Sequence, residues 1–194
     1  MLFHVDTDSP PWTSAHTSLV DLILKGQDSH SLELNWDKYA YELDGEHFTD
    51  AGFDDFSSDM VDAVCNALPS ARKLWVMSDS TIDHNNYNYN YTQGAVYCGR
   101  ATALLTRKFR EAGVDAVIDA VCGSGFAAMS ASGEHFRARL SARRKCADPP
   151  DAIVLMGGWN DAGWSESVIQ LAIQGACCMA HRCLSRGVLD DARS

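Results

Sequence analysis

Asp44 and His47 stand three residues apart in YELDGEHFTDAG (41–52), where the chain runs into a predicted helix. On such a turn the carboxylate can reach the imidazole, fix its tautomer and support it as a general base. A base of this kind calls for a nucleophile whose proton it takes. Ser80 is the candidate. It closes MSDS (77–80), the tip of an apolar strand entering a helical turn, where a serine presents its hydroxyl and a free backbone N–H. Ser78 is the alternative, set closer to the strand. Two more strand ends carry donors. CGSGF (122–126) offers an unshielded glycine N–H, from Gly125 or Gly123, and GGWND (157–161) offers the side-chain amide of Asn160. Two or three donors converging on one point make an oxyanion hole, in which losing one costs roughly 10² to 10³ in rate. Serine attack, proton transfer through histidine and orientation by aspartate together make acyl transfer.

These groups need a scaffold that gathers them. MLFHV (1–5) is a candidate strand, and DTDSPPW (6–12) is turn chemistry. TSAHTSLVDLILKG (13–26) has apolar residues at helical spacing and ends on a glycine, which predicts a helix. SLELNW (31–36) alternates like a strand. Over 49–68, Phe53, Phe56, Met60, Val61, Val64 and Leu68 share one helical face, and Pro69 ends the helix. A strand is predicted at 73–80, a surface loop at NNYNYNYTQG (85–94), a helix at 94–113, a strand with a glycine-rich end at 114–125, a strand and glycine turn at 151–161, and a last helix at 165–187. RARLSARRK (137–145) reads as a solvated helix end. Continuously apolar strands alternating with helices predict a parallel sheet covered on both faces, with ligands at the C-terminal ends of its strands. No repeat or linker interrupts the chain, so 1–194 reads as a single domain.

A net charge of -10 argues against nucleic acid or an anionic membrane surface as partners. No stretch approaches the roughly 18 apolar residues of a membrane span. The seven cysteines fit neither a disulfide framework nor a zinc knuckle. Reduced thiols, together with a first segment that lacks a signal peptide's basic and apolar regions, predict a cytoplasmic protein. Cys177 and His181 lie one helical turn apart without a third ligand, so Cys177, His181 and Cys183 read as an apolar helix face and no metal is predicted. No phosphate-binding glycine loop is present.

Taken together, the blocks resemble the SGNH hydrolases, the GDSL family of esterases and lipases. Ser78-Asp79-Ser80 is similar to the Gly-Asp-Ser nucleophile block, with Ser78 in the place of the glycine. Gly125, with Gly123 as its rival, fits the second block, and Gly158-Trp159-Asn160-Asp161 fits the third, Gly-x-Asn-Asp. Asp44-Gly45-Glu46-His47, followed by Thr49 and Gly52, fits the last, Asp-x-x-His. That last block comes first here, which suggests a circular permutation joined through PSARK (69–73). Termini that lie close together at a domain surface make such a joint feasible. The resemblance implies a three-layer α/β/α sandwich of flavodoxin-like type with a parallel sheet of about five strands. It implies a serine carboxylester hydrolase working through an acyl-enzyme on short-chain esters, acetylated carbohydrate among them, with no cofactor. Ser80 is then the nucleophile, His47 the base and Asp44 its orienter. The Ser80 and Gly125 N–H groups and the Asn160 amide form the oxyanion hole. Beside these, Asp79 reads as structural, Trp159 as either a wall of the acyl pocket or core packing, and His84, just past the nucleophile, as either a substrate contact or a surface histidine. Tyrosine and asparagine in 85–91 suit carbohydrate. The alternative is a non-catalytic glycan- or protein-binding module on the same scaffold, favoured by Ser78 and disfavoured by the retained Ser80, Asn160, Asp44 and His47.

Overall fold

The computed structural model describes residues 19–24, 30–32, 34–90, 94–144 and 148–184. In chain order these form strands β1 (Leu19–Leu24) and β2 (His30–Leu32), helix α1 (Asp50–Ala67), β3 (Lys73–Ser78), a single turn α2 (Ser80–Asp83), β4 (Tyr87–Asn90), β5 (Gly94–Tyr97), α3 (Arg100–Glu111), β6 (Asp115–Ala120), α4 (Phe136–Arg143), β7 (Ala152–Gly157) and α5 (Glu166–Leu184). The predicted strand at 1–5 lies outside the described residues.

The fold is α/β. Its sheet runs β2-β1-β7-β3-β6, and β4 pairs with β5 in a separate hairpin. β3 is parallel to both β6 and β7. Side chains alternate across the strands, so the sheet has two apolar faces. Leu74, Val76, Val154 and Met156 pack with Phe53, Phe56, Met60 and Val64 of α1 and Leu105 and Phe109 of α3. Trp75, Met77, Ile153 and Leu155 pack on the other side with Phe136 and Leu140 of α4 and Ala176, Ala180 and Leu184 of α5. Helices therefore cover both faces, as continuously apolar central strands require.

Several expectations are corrected. Among the described residues the sheet is mixed: β3 pairs in parallel with β6 and β7, whereas β1 is antiparallel to β7 and to β2. The helix expected over 13–26 is a strand at Leu19–Leu24, because LVDLIL is short and apolar enough to complete the exposed edge of β7. The strand expected at 31–36 is confined to His30–Leu32, and Trp36–Lys38 is a 3-10 turn. The loop expected at 85–94 contains β4, whose partner is β5, so helix α3 starts only at Arg100. The basic run at 137–145 is solvated at Arg137 and Arg144, but Arg139 turns inward and is 4% exposed.

Candidate functional site

The histidine loop is built by its own aspartate. Tyr41 and Phe48 form an isolated antiparallel bridge, and inside it the Glu42 N–H donates to His47 O at 2.7 Å and the Gly45 N–H to Glu42 O at 2.9 Å. Asp44 Oδ1 accepts from the N–H groups of Glu46 (2.9 Å) and His47 (3.1 Å). Its other oxygen, Oδ2, meets His47 Nδ1 at 2.8 Å. Partial burial alone would raise the Asp44 pKa, but the hydrogen bonds from the imidazole and the two backbone amides outweigh it and hold the carboxyl at about 2. Thr49 then caps α1, its hydroxyl accepting from Gly52 N at 3.1 Å. Any Cβ at residue 52 would sit 1.9 Å from Ala40 O, so only glycine lets segment 40 pass this close beneath the loop.

The nucleophile block follows β3. Asp79 is fully buried and caps α2, accepting from Thr81 N at 2.9 Å and Thr81 Oγ1 at 2.7 Å. Burial raises its pKa, against the lowering effect of the Thr81 hydrogen bonds. Ser80 is the first residue of α2 and half-buried, and its N–H lies in the first turn, where a helix supplies no acceptor. Ser78 is fully buried, which removes it as the alternative nucleophile.

Ser80, Thr81, His47, Glu46, Phe48, Tyr41, Trp36 and Trp159 line one cleft of about 330 Å³, its open mouth included. The expected base and nucleophile thus face a common space, with Trp159 on its wall. Asn85, read from sequence as part of a surface loop, ties the two blocks together: it is buried, and its Nδ2 donates to Phe48 O at 2.9 Å. Asn86, also buried, anchors the same segment to α3 through Thr102. Nothing in the spacing of NNYNYNY separates these two buried amides from that of Asn88, which is exposed.

His84 is corrected. It does not line the cleft. Its ring stacks on His47 with centroids 3.8 Å apart and planes 14° apart, and its Nε2 lies 3.4 Å from Glu42 Oε2. Burial lowers its pKa, and the neighbouring His47 lowers it further, against the raising effect of Glu42. His84 therefore backs the base from outside the lining of the cleft.

Gly125 is also corrected. Its N–H donates to Ala128 O at 3.0 Å, so it does not point into a hole. The glycine is needed for another reason: a Cβ there would lie 2.7 Å from the Asp161 carboxylate. Asp161, 1% exposed, accepts from the N–H groups of Phe126, Ala127 and Ala128 at 2.9, 2.8 and 2.7 Å and so shapes the whole loop. Gly123, the alternative, sits in the same loop, and its N–H makes no hydrogen bond among the described residues. Asn160 Nδ2 donates to Ser124 O at 2.9 Å and only distantly, at 3.4 Å, to Asp79 Oδ2. Its second N–H is held loosely enough to turn to an oxyanion. Cys122 stands beside this loop, but burial and Asp83 push its thiol up to about 12, so it is no nucleophile near neutral pH.

Sequence reasoning also missed Arg139. Its guanidinium donates to Ser78 O (3.0 Å), Ser124 Oγ (2.9 Å) and Asp119 Oδ1 (2.7 Å), joining the ends of β3 and β6 to the glycine loop. Arg143 completes the pairing with Asp119 at 2.7 Å. Among the described residues no group of three or more His, Cys, Asp or Glu side chains is placed to hold a metal ion, and no helix is long and apolar enough to cross a membrane.

No protein-family model matches this chain, and no curated protein or solved structure is significantly similar to it.

Proposed function

We propose that the protein is a serine carboxylester hydrolase of SGNH type, its single domain circularly permuted so that the Asp-x-x-His block precedes the nucleophile. The observation that carries this reading is one cleft holding Ser80 and His47, with Asp44 on His47 Nδ1 at 2.8 Å. The strand order adds support. β6-β3-β7 is the 2-1-3 part of the flavodoxin-like order 2-1-3-4-5; β1 occupies the fourth place in reversed direction, and β2 the fifth in the direction of the parallel strands.

In the reaction, Ser80 Oγ attacks the ester carbonyl while His47 Nε2 takes its proton. Asp44 stabilises the imidazolium. The Ser80 N–H, the loose Asn160 N–H and the Gly123 N–H receive the oxyanion. The C–O bond to the alcohol breaks, and His47 returns the proton to the departing oxygen. Water, deprotonated by His47, then attacks the acyl-Ser80 ester and releases the acid. The cleft is small and bounded by bulky rings, Trp36, Tyr41 and Trp159, which favours a short acyl group.

Hydrolysis of p-nitrophenyl acetate and butyrate tests this. Ser80→Ala and His47→Ala, each folded by circular dichroism, are expected to lose on the order of 10⁴ to 10⁶ in kcat. Wild-type inactivity, or activity indifferent to Ser80, overturns the proposal. A second reading, a non-catalytic binding module, is favoured by one observation: the Gly125 N–H is committed to Ala128 O, which leaves the hole without its expected second donor. Under that reading a fluorophosphonate probe leaves Ser80 unlabelled.

A further inference from the structure

The cleft beside Ser80 has an unusual wall. Three half-buried aromatic residues line it, Trp36, Tyr41 and Trp159, backed by Phe48, which is 1% exposed. The one acid among the lining residues is Glu46, and no lysine or arginine is among them. The aromatic wall is fixed before anything binds. Trp36 lies parallel to Phe48 within 5° at 6.3 Å, Tyr41 tilts on Phe48 at 5.0 Å, and the Tyr41 hydroxyl donates to Trp36 O at 3.0 Å. Phe56 stacks behind, 5.6 Å from Trp36 and 4.9 Å from Phe48. The surrounding segment is acidic: between 36 and 48, Asp37, Glu42, Asp44 and Glu46 face a single lysine, Lys38. Lys38 is committed elsewhere, paired with Asp59 and set over the Tyr39 ring.

We infer that this cleft takes a compact quaternary ammonium group, so that the ester it accepts is one whose alcohol carries a trimethylammonium head. The inference rests on the esterase reading for its chemistry, and on the wall alone for its binding. Aromatic rings attract a weakly hydrated cation through their quadrupoles, and they do so most where water is excluded. A carboxylate beside them supplies the charge that rings lack. An anionic substrate would meet Glu46 and the acidic rim unfavourably, and a purely apolar one would strip water from Glu46 with no return. The protein's net charge of -10 raises the local concentration of cations before docking. Ser80 and the aromatic residues line the same cleft, so both ends of a short choline-type ester are recognised in one place. The carbonyl then lies at Ser80 and the leaving alcohol, with its cation, stays under Glu46.

Tryptophan fluorescence titration with choline and with dimethylbutanol, its uncharged isostere, tests the binding without any turnover. Choline is expected to bind about tenfold more tightly, the size of a favourable cation–π contribution. Glu46→Gln, a change at an exposed position, is expected to cut that preference several-fold. Equal binding of the two alcohols, or no binding of either, overturns the inference. Hydrolysis of acetylcholine beside dimethylbutyl acetate separates the two claims. Ser80-dependent hydrolysis without preference for the charged ester removes the inference and leaves the esterase reading. Selective choline binding without hydrolysis of either ester leaves a cation site and removes the esterase reading.

Discussion

Asp44 and His84 hold His47 from two sides, and acid acts on both. Asp44 titrates at about 2 in the folded protein against 3.8 in the open chain, so its stabilising effect is complete above that ordinary value and disappears as pH falls through 2. His84 is lowered from 6.5, so the folded protein refuses a proton that the unfolded chain takes. Stability therefore drops as pH falls below 6.5, until the lower folded value is passed. Thermal unfolding followed from pH 7.5 downward is expected to show this loss, and His84→Phe, which keeps an aromatic face and does not titrate, is expected to remove that part of it. For activity, His84→Ala is expected to lower kcat by up to about 10²-fold through a misplaced imidazole, with His84→Phe restoring most of it. Asp44→Asn leaves the loop hydrogen bonds to Glu46 and His47 possible but presents the wrong partner to Nδ1. Its kcat is expected to fall on the order of 10² to 10⁴, with KM little changed. Asp44 and His47 were legible because their contact is local, three residues on one turn. The His47–His84 stack was not, since it joins segments 37 residues apart.

At the scale of elements, the approach of segment 40 to the mouth of α1 decides where His47 sits. Thr49 N donates to Ala40 O at 3.0 Å, and the space under Gly52 is filled by that same carbonyl. Gly52→Ala is expected to push the two apart, costing about 1–3 kcal/mol in urea unfolding and lowering kcat more than KM. The helix at 49–68 and the strand at 73–80 were legible because each carries its own periodicity and stop signal, and they appear as Asp50–Ala67 and Lys73–Ser78. The 13–26 segment was not, because a six-residue apolar run suits a buried strand or a helix equally until a partner strand is known. Gly94–Tyr97 was absorbed into the following helix for the same reason: the partner that makes it a strand is Tyr87–Asn90.

At the scale of the molecule, Arg139 joins three parts of the structure that sequence keeps far apart. It reaches the end of β3 at Ser78, the glycine loop at Ser124 and the end of β6 at Asp119. Arg139→Met is expected to cost about 1–3 kcal/mol by leaving the carbonyl of Ser78 without its side-chain donor and Asp119 with Arg143 alone, read from urea midpoints. A basic run carries no mark of which arginine turns inward, so this connection could not be read from composition. The strand order has a consequence for synthesis. β7 lies between β1 and β3, yet it begins 128 residues after β1 ends, at 152 against 24. At about 5–20 residues per second, the ribosome leaves the flank of β1 open for roughly 6–25 s and that of β3, which ends at 78, for roughly 4–15 s. During that interval Asp44, His47 and Ser80 have all been made, but the strand that seats their scaffold has not. The nascent chain is thus expected to carry open strand edges, ready to pair with other chains, until β7 emerges.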